Sequence, residues 1–181
     1  MLTTQQLELI QAIEQLDLAS VKALLAEGLD PNFLEPEKGP PISIICDVLF
    51  QWWQPIYDGY EAGQPIPEAE KQQSLLVYLD IIDALIAANA NVHLWDSEEF
   101  FGPLWDAASA ACVPAVQRLL AQNVNPNTLD DEGMTVLSSI SQLMYECDFD
   151  EIDWDETWPE EKQTLQLLRE HGAKMTKELD L

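Results

Sequence analysis

One pattern recurs four times along this chain and limits its fold more than any other feature. Residues 12–32 read AIEQLDLASVKALLAEGLDPN and residues 80–93 read DIIDALIAANANVH. Residues 107–127 read AASAACVPAVQRLLAQNVNPN, and residues 164–176 read TLQLLREHGAKMT. Each copy carries an adjacent apolar pair: Leu24-Leu25, Leu85-Ile86, Leu119-Leu120 and Leu167-Leu168. A Gly or Asn follows each pair, at Gly28, Asn89, Asn123 and Gly172. These residue types tolerate the left-handed conformation that ends a helix. A helix that stops there, followed by a short polar loop, is the repeated unit.

Helix signals agree across the chain. Leu18, Val21, Leu24 and Leu25 keep helical spacing, as do Leu76, Leu79, Ile82, Leu85 and Ile86, and Leu165 with Leu168. Pro67, Pro103, Pro114 and Pro159 stand where helices should start, in a first turn where a missing N–H costs nothing. Glu68, Glu160 and Glu161 follow in first turns and suit the helix dipole. Thr3 and Gln6 have the spacing of a capping box. The pattern predicts an all-α fold of about eight helices in four pairs. A helix pair cannot bury its own apolar face, so stacking of pairs makes the core.

Further residues carry a likeness to a known family. The stretches Gly102-Pro103-Leu104-Trp105-Asp106-Ala107-Ala108 and Gly133-Met134-Thr135-Val136-Leu137 are similar to the TPLHxAA element of ankyrin repeats. Asp131-Glu132-Gly133-Met134-Thr135 matches the turn before that element, and AEGLDPN and EHGAKMT match the end of the repeat. The chain resembles the ankyrin-repeat family over most of its length. The likeness implies one helical repeat solenoid over residues 1–181, with repeats near 3–35, 40–94, 98–128 and 131–177. The departures are specific. The TPLH element is degenerate in the first two repeats, within Leu7 to Ile13 and Pro41 to Val48, and Asn replaces Gly in the middle two. The spacings Gly28 to Asn89, Asn89 to Asn123 and Asn123 to Gly172 are 61, 34 and 49 residues, so the second and fourth repeats hold insertions.

Insertion one, near residues 50–70, reads FQWWQPIYDGYEAGQPIPEAE and is expected to form a loop rich in Trp52, Trp53, Tyr57 and Tyr60. Insertion two, near residues 143–161, reads LMYECDFDEIDWDETWPEE. From Glu146 onward it has nine acids in 16 positions and no base, with Phe149, Ile152, Trp154 and Trp158 among them. Both insertions fall between the two helices of their repeat. In a regular stack they would leave the same edge on the order of 20 Å apart, from layer spacings of about 10 Å. They are expected to form an acidic, aromatic clamp. Trp and Tyr are enriched at binding hot spots. Carboxylates beside rings suit Lys and Arg, which engage both. The candidate contact residues are therefore Trp52, Trp53, Tyr57, Tyr60, Asp148, Asp150, Glu151, Asp153, Trp154, Asp155 and Trp158. The family likeness, through its use of turn tips, adds Trp95, Asp96, Glu98, Glu99, Phe100 and Phe101 as secondary candidates. It also implies structural roles for Trp105 and for His171; His93 is expected in a surface loop.

Charge narrows the class of partner. The chain has 33 acids and eight bases, a net charge of −25. Residues 162–181 hold four of those bases against three acids, so the excess lies before the last helix. Such a surface repels phosphate, which argues against direct contact with nucleic acid or an anionic membrane and favours a basic protein. Three distant cysteines, Cys46, Cys112 and Cys147, form no CxxC pair and fit reduced thiols in a cytoplasmic protein. The N-terminus shows no secretion signal. The aspartates of insertion two lack the glycine and spacing of an EF-hand. No metal site, cofactor or catalytic motif is apparent, and Ser138, Ser139 and Ser141 have no identifiable base. The expected function is therefore a non-catalytic, monomeric binding module that acts as an inhibitor or immunity-type protein against a basic toxin or nuclease. A chaperone for a basic nucleic-acid-binding client, or a scaffold, is the alternative.

Overall fold

The computed structural model describes the chain except residues 62, 65, 94–101, 131, 146, 148, 156 and 181, and except the side chains at 60, 61, 143 and 144. Among the described residues the fold is all-α: eight α-helices, two 3₁₀ turns and no strand. Backbone contacts divide the chain into two compact units, Met1–Trp95 and Asp96–Leu181, where the sequence is read as one domain.

The first unit contains α1 (Thr4–Glu14), α2 (Leu18–Ala26), α3 (Pro41–Glu61) and α4 (Glu68–Ala87). The second contains α5 (Pro103–Ser109), α6 (Val113–Leu120), α7 (Val136–Tyr145) and α8 (Pro159–Glu170). One packing plan serves both. The first helix of a pair lies on its own partner and on the first helix of the next pair, and the second helix lies on the next second helix. Leu9, Ile13, Ile45 and Ile82 are fully buried in the first core, and Leu119, Leu137 and Leu165 in the second.

Helix ends explain how short helices turn back within two residues. Gly28, Asn89, Asn123 and Gly172 all have positive φ, as their residue types anticipate. At Gly28 the N–H donates to the Leu25 carbonyl, and the Leu29 N–H reaches back to that of Leu24. Asn89 with Ala90, and Gly172 with Ala173, repeat this double closure, which satisfies carbonyls that the last turn leaves open. Leu16 (φ 55) and Ala111 (φ 46) do the same between the helices of the first and third pairs. Neither residue type signals a left-handed site, and each carries a Cβ penalty there.

Two asparagines then join consecutive pairs. Asp30 accepts the Asn32 backbone N–H at 2.9 Å, and Asn125 accepts that of Asn127 at 3.0 Å, which folds both loops alike. The Asn32 amide donates to the Asn89 carbonyl at 3.0 Å and accepts the Asn91 N–H at 2.6 Å. The Asn127 amide donates to the Gly172 carbonyl at 2.9 Å and accepts the Lys174 N–H at 2.7 Å. Each side chain thus satisfies one donor and one acceptor beside the helix end of the following pair.

Helix starts follow the sequence signals. Thr3 and Gln6 form the capping box on α1. Pro103 and Pro159 open α5 and α8, Pro114 lies in the first turn of α6, and Pro67 caps α4. Insertion one departs from expectation, because it is mostly helix rather than loop. Residues 50–61 prolong α3 through Pro55. Leu49, Trp53 and Ile56 are buried at i, i+4 and i+7, and this apolar stripe holds the helix across the proline. The result is a pair, 21 and 20 residues long, beside α1 and α2 of 11 and nine.

Two substitutions test this account of the backbone. Asn127→Ala, which deletes both bridging bonds, should lower unfolding free energy by about 1–3 kcal/mol in urea titrations. Gly28→Ala should cost about 1–2 kcal/mol even though an added Cβ meets no atom within 4 Å, because only the left-handed backbone opposes it. An unchanged midpoint for either variant would contradict the role given to that residue.

Candidate functional site

Insertion one builds an aromatic cluster on the prolonged helices α3 and α4. The Trp52 ring lies 6.0 Å from Trp53 and 5.2 Å from Tyr78, so α3 and α4 are joined by rings. Lys71 of α4 sits over the Trp53 ring at 5.6 Å, and its ammonium reaches Glu68 at 2.7 Å. Trp53 is 6 % exposed and belongs to the core; this corrects its assignment as a partner contact. Trp52 and Tyr57 are half-buried and keep some surface, and Tyr60 lies in α3. Tyr78 was not singled out from sequence, although Leu75, Tyr78 and Ile82 share its helical stripe.

Insertion two is folded back on α8. Tyr145, which closes α7, donates its hydroxyl to Glu161 of α8 at 2.5 Å and ties the two ends of the insertion together. Glu161 is only 5 % exposed. Ile152 and Thr157 are buried inside, and the Thr157 hydroxyl donates to the Asp153 carbonyl at 2.7 Å. The Asp153 carboxylate accepts the Asp155 N–H at 3.1 Å, a local turn. The Lys162 ammonium donates to the Trp154 carbonyl at 3.2 Å. Phe149, in the 3₁₀ turn Phe149–Glu151, meets the Trp154 ring edge-on at 5.1 Å.

Arg169 completes this arrangement. Its guanidinium lies over the Phe149 ring, 5.2 Å from the centroid, and forks onto both oxygens of Glu178 at 2.5 and 2.6 Å. The Arg169 fork, with the Met175 N–H, holds the Glu178 carboxyl down at about 2. Asp150, Glu151, Asp153 and Asp155 are exposed, and Trp154 and Trp158 are half-buried. Asp148 and the secondary candidates Trp95, Asp96, Glu98, Glu99, Phe100 and Phe101 lie outside the described residues. The candidate residues therefore fall into two groups, one in each unit, and each is a surface in its own right.

Several bases are committed to the chain's own groups. Lys38 pairs with Glu14, Lys71 with Glu68 and Arg169 with Glu178, while Arg118 donates to the Pro114 carbonyl. Insertion two presents four exposed acidic residues, Asp150, Glu151, Asp153 and Asp155. An open groove of about 340 Å³ between α1 and α2 is also acidic, lined by Glu8, Asp17 and Glu27 with Gln11 and Gln15. Asp17 in that groove caps α2 through Ser20, which lowers its carboxyl pKa.

Two of the hydroxyls of α7 have structural work. Ser139 accepts the Trp105 indole N–H at 3.0 Å, and Ser138 accepts the Thr176 N–H at 2.7 Å. The Ser141 hydroxyl is buried and, among the described residues, meets no hydrogen-bond partner. His171 donates through Nδ1 to the Leu167 carbonyl at 2.9 Å. Cys46 and Cys112 are buried thiols, and burial lifts Cys112 to about 11. Among the described residues no helix is long and apolar enough to cross a membrane. Comparison with protein-family models gives no match, and comparison with curated protein sequences gives none either.

Two outcomes check the site. Trp53→Ala should cost about 3–5 kcal/mol of stability, as for a large buried ring. Trp52→Ala should cost visibly less in the same denaturation series; equal losses would contradict the difference in burial. The Arg169–Glu178 pair gives a pH signature. Its carboxylate pKa falls from an ordinary 4.5 to about 2, so its stabilisation is full above pH 4.5 and disappears as pH falls toward 2. The stability difference between wild type and Glu178→Gln should therefore be constant from pH 5 to 7 and shrink below pH 4.5. A difference that persists at pH 2 would contradict the pairing.

Proposed function

We propose that this chain is a non-catalytic protein-binding module of ankyrin-like helix pairs, whose partner is a basic protein. The observation that carries the reading is the state of insertion two. Its loop is internally braced by Tyr145, Lys162 and Arg169, yet Asp150, Glu151, Asp153 and Asp155 stay exposed beside the Trp154 and Trp158 rings. A braced acidic loop binds with less ordering cost than a mobile one. Exposed carboxylates next to rings suit the lysines and arginines of a partner. The whole-chain charge of −25 would steer such a partner in and speed association.

The pairing plan in each unit and the Asn bridges between pairs support the ankyrin-like reading. We take the role to be stoichiometric inhibition of the immunity type, in which the acidic surface covers a basic active site. In the first unit, Trp52 and Tyr57 of α3 keep a separate, more apolar surface of their own. Covering an active site requires no chemistry from the inhibitor, and Ser138 and Ser139 are engaged in structural hydrogen bonds.

The test uses a variant with Asp150, Asp153 and Asp155 changed to Asn and Glu151 to Gln. It should keep its helical circular dichroism, bind the basic partner at least about tenfold more weakly, and show a flatter dependence of affinity on salt. Wild-type protein should abolish the partner's activity at a one-to-one ratio. Unchanged affinity with unchanged salt dependence would remove insertion two from the interface, and binding without inhibition would remove the inhibitor role.

A further inference from the structure

Arg169 has one position on α8 but touches three segments of the second unit. Its guanidinium covers the Phe149 ring of insertion two, forks onto Glu178 in the C-terminal 3₁₀ turn Thr176–Glu178, and donates to the Ala173 carbonyl at 3.0 Å. A guanidinium can lie over a ring and at the same time fork onto both oxygens of a carboxylate, a bidentate geometry that a lysine ammonium lacks. Both ends of this clasp are anchored. Glu178 also accepts the Met175 N–H at 2.6 Å, and the turn is tied to α7 because the Thr176 N–H donates to Ser138. On the other side Phe149 abuts Trp154, whose carbonyl is held by Lys162. An unbroken line of contacts thus runs from the C-terminal turn through Arg169 into the insertion.

We propose that Arg169 is the positioning residue of insertion two, coupling the loop's binding shape to the C-terminal turn through Glu178. The proposal rests on the reading of insertion two as a partner surface and adds how that surface is kept in shape. Asp150 follows Phe149 in the chain and Trp154 meets its ring edge-on, so release of Phe149 frees residues that would meet the partner. Glu178 does not face a partner in this scheme; it acts through Arg169. By linkage, a partner that grips the loop also tightens the C-terminal turn.

Hydrogen exchange in the free protein tests this with no partner needed. Glu178→Gln removes the charged fork from an exposed position. Arg169→Lys keeps the charge but loses the plane, and Phe149→Leu keeps apolar bulk but loses the ring. Each should speed exchange of the amides of residues 150–155 by about tenfold or more, while amides 163–168 of α8 keep their wild-type rates. Wild-type exchange at 150–155 in Glu178→Gln, or full protection in Arg169→Lys, would overturn the coupling. Equal acceleration in α8 would reduce Arg169 to a general helix stabiliser and overturn it too. Faster loop exchange in a protein that has no basic partner would sink the binding reading but leave the coupling standing. Normal loop exchange in a protein that does bind one would sink the coupling alone.

Discussion

The left-handed helix end is the constraint on which the rest of the structure depends. Each pair must reverse direction within a few residues, and a right-handed chain does this most compactly through one residue of positive φ. Gly28, Asn89, Asn123 and Gly172 supply it at the ends of pairs, and Leu16 and Ala111 supply it within them. The reversal delivers Asn32 and Asn127 to the carbonyl and N–H groups of the next helix end. With the ends fixed, within each unit first helix meets first helix and second meets second, and the apolar stripes close into that unit's core.

Charge sets the second condition. A net charge of −25 repels itself, and the chain spends several of its eight bases on its own acids and rings. Two of them make the same arrangement in different units. Lys71 lies on Trp53 while paired to Glu68, and Arg169 lies on Phe149 while paired to Glu178. In each insertion a cation fixes an aromatic ring and neutralises one neighbouring carboxylate. Asp150, Glu151, Asp153 and Asp155 lie exposed beside that clasp.

What the sequence reveals follows from which signals are local. Pro103, Pro159 and the Thr3–Gln6 box mark helix starts because they act on their own first turn. Four of the six left-handed ends are legible because Gly and Asn are the residues that accept that conformation. Leu16 and Ala111 are not legible, since tertiary packing holds them against their own preference. Insertion one misleads for a related reason: Pro55 and Gly59 read as loop punctuation, but burial of Leu49, Trp53 and Ile56 outweighs one lost hydrogen bond. That burial also takes Trp53 out of the candidate surface. In insertion two the acids and rings are plain in the sequence. The bases that brace them, Lys162 and Arg169, lie on the following helix, and only the fold brings them back.

The central claim is that charge on a braced acidic surface selects a basic protein. The most direct measurement is capture from native lysate at low and at high salt, with the bound proteins identified. The account predicts one basic protein in stoichiometric amount, retained at low salt and largely released at high salt. Several proteins without a common charge, bound equally at both salt concentrations, would contradict it.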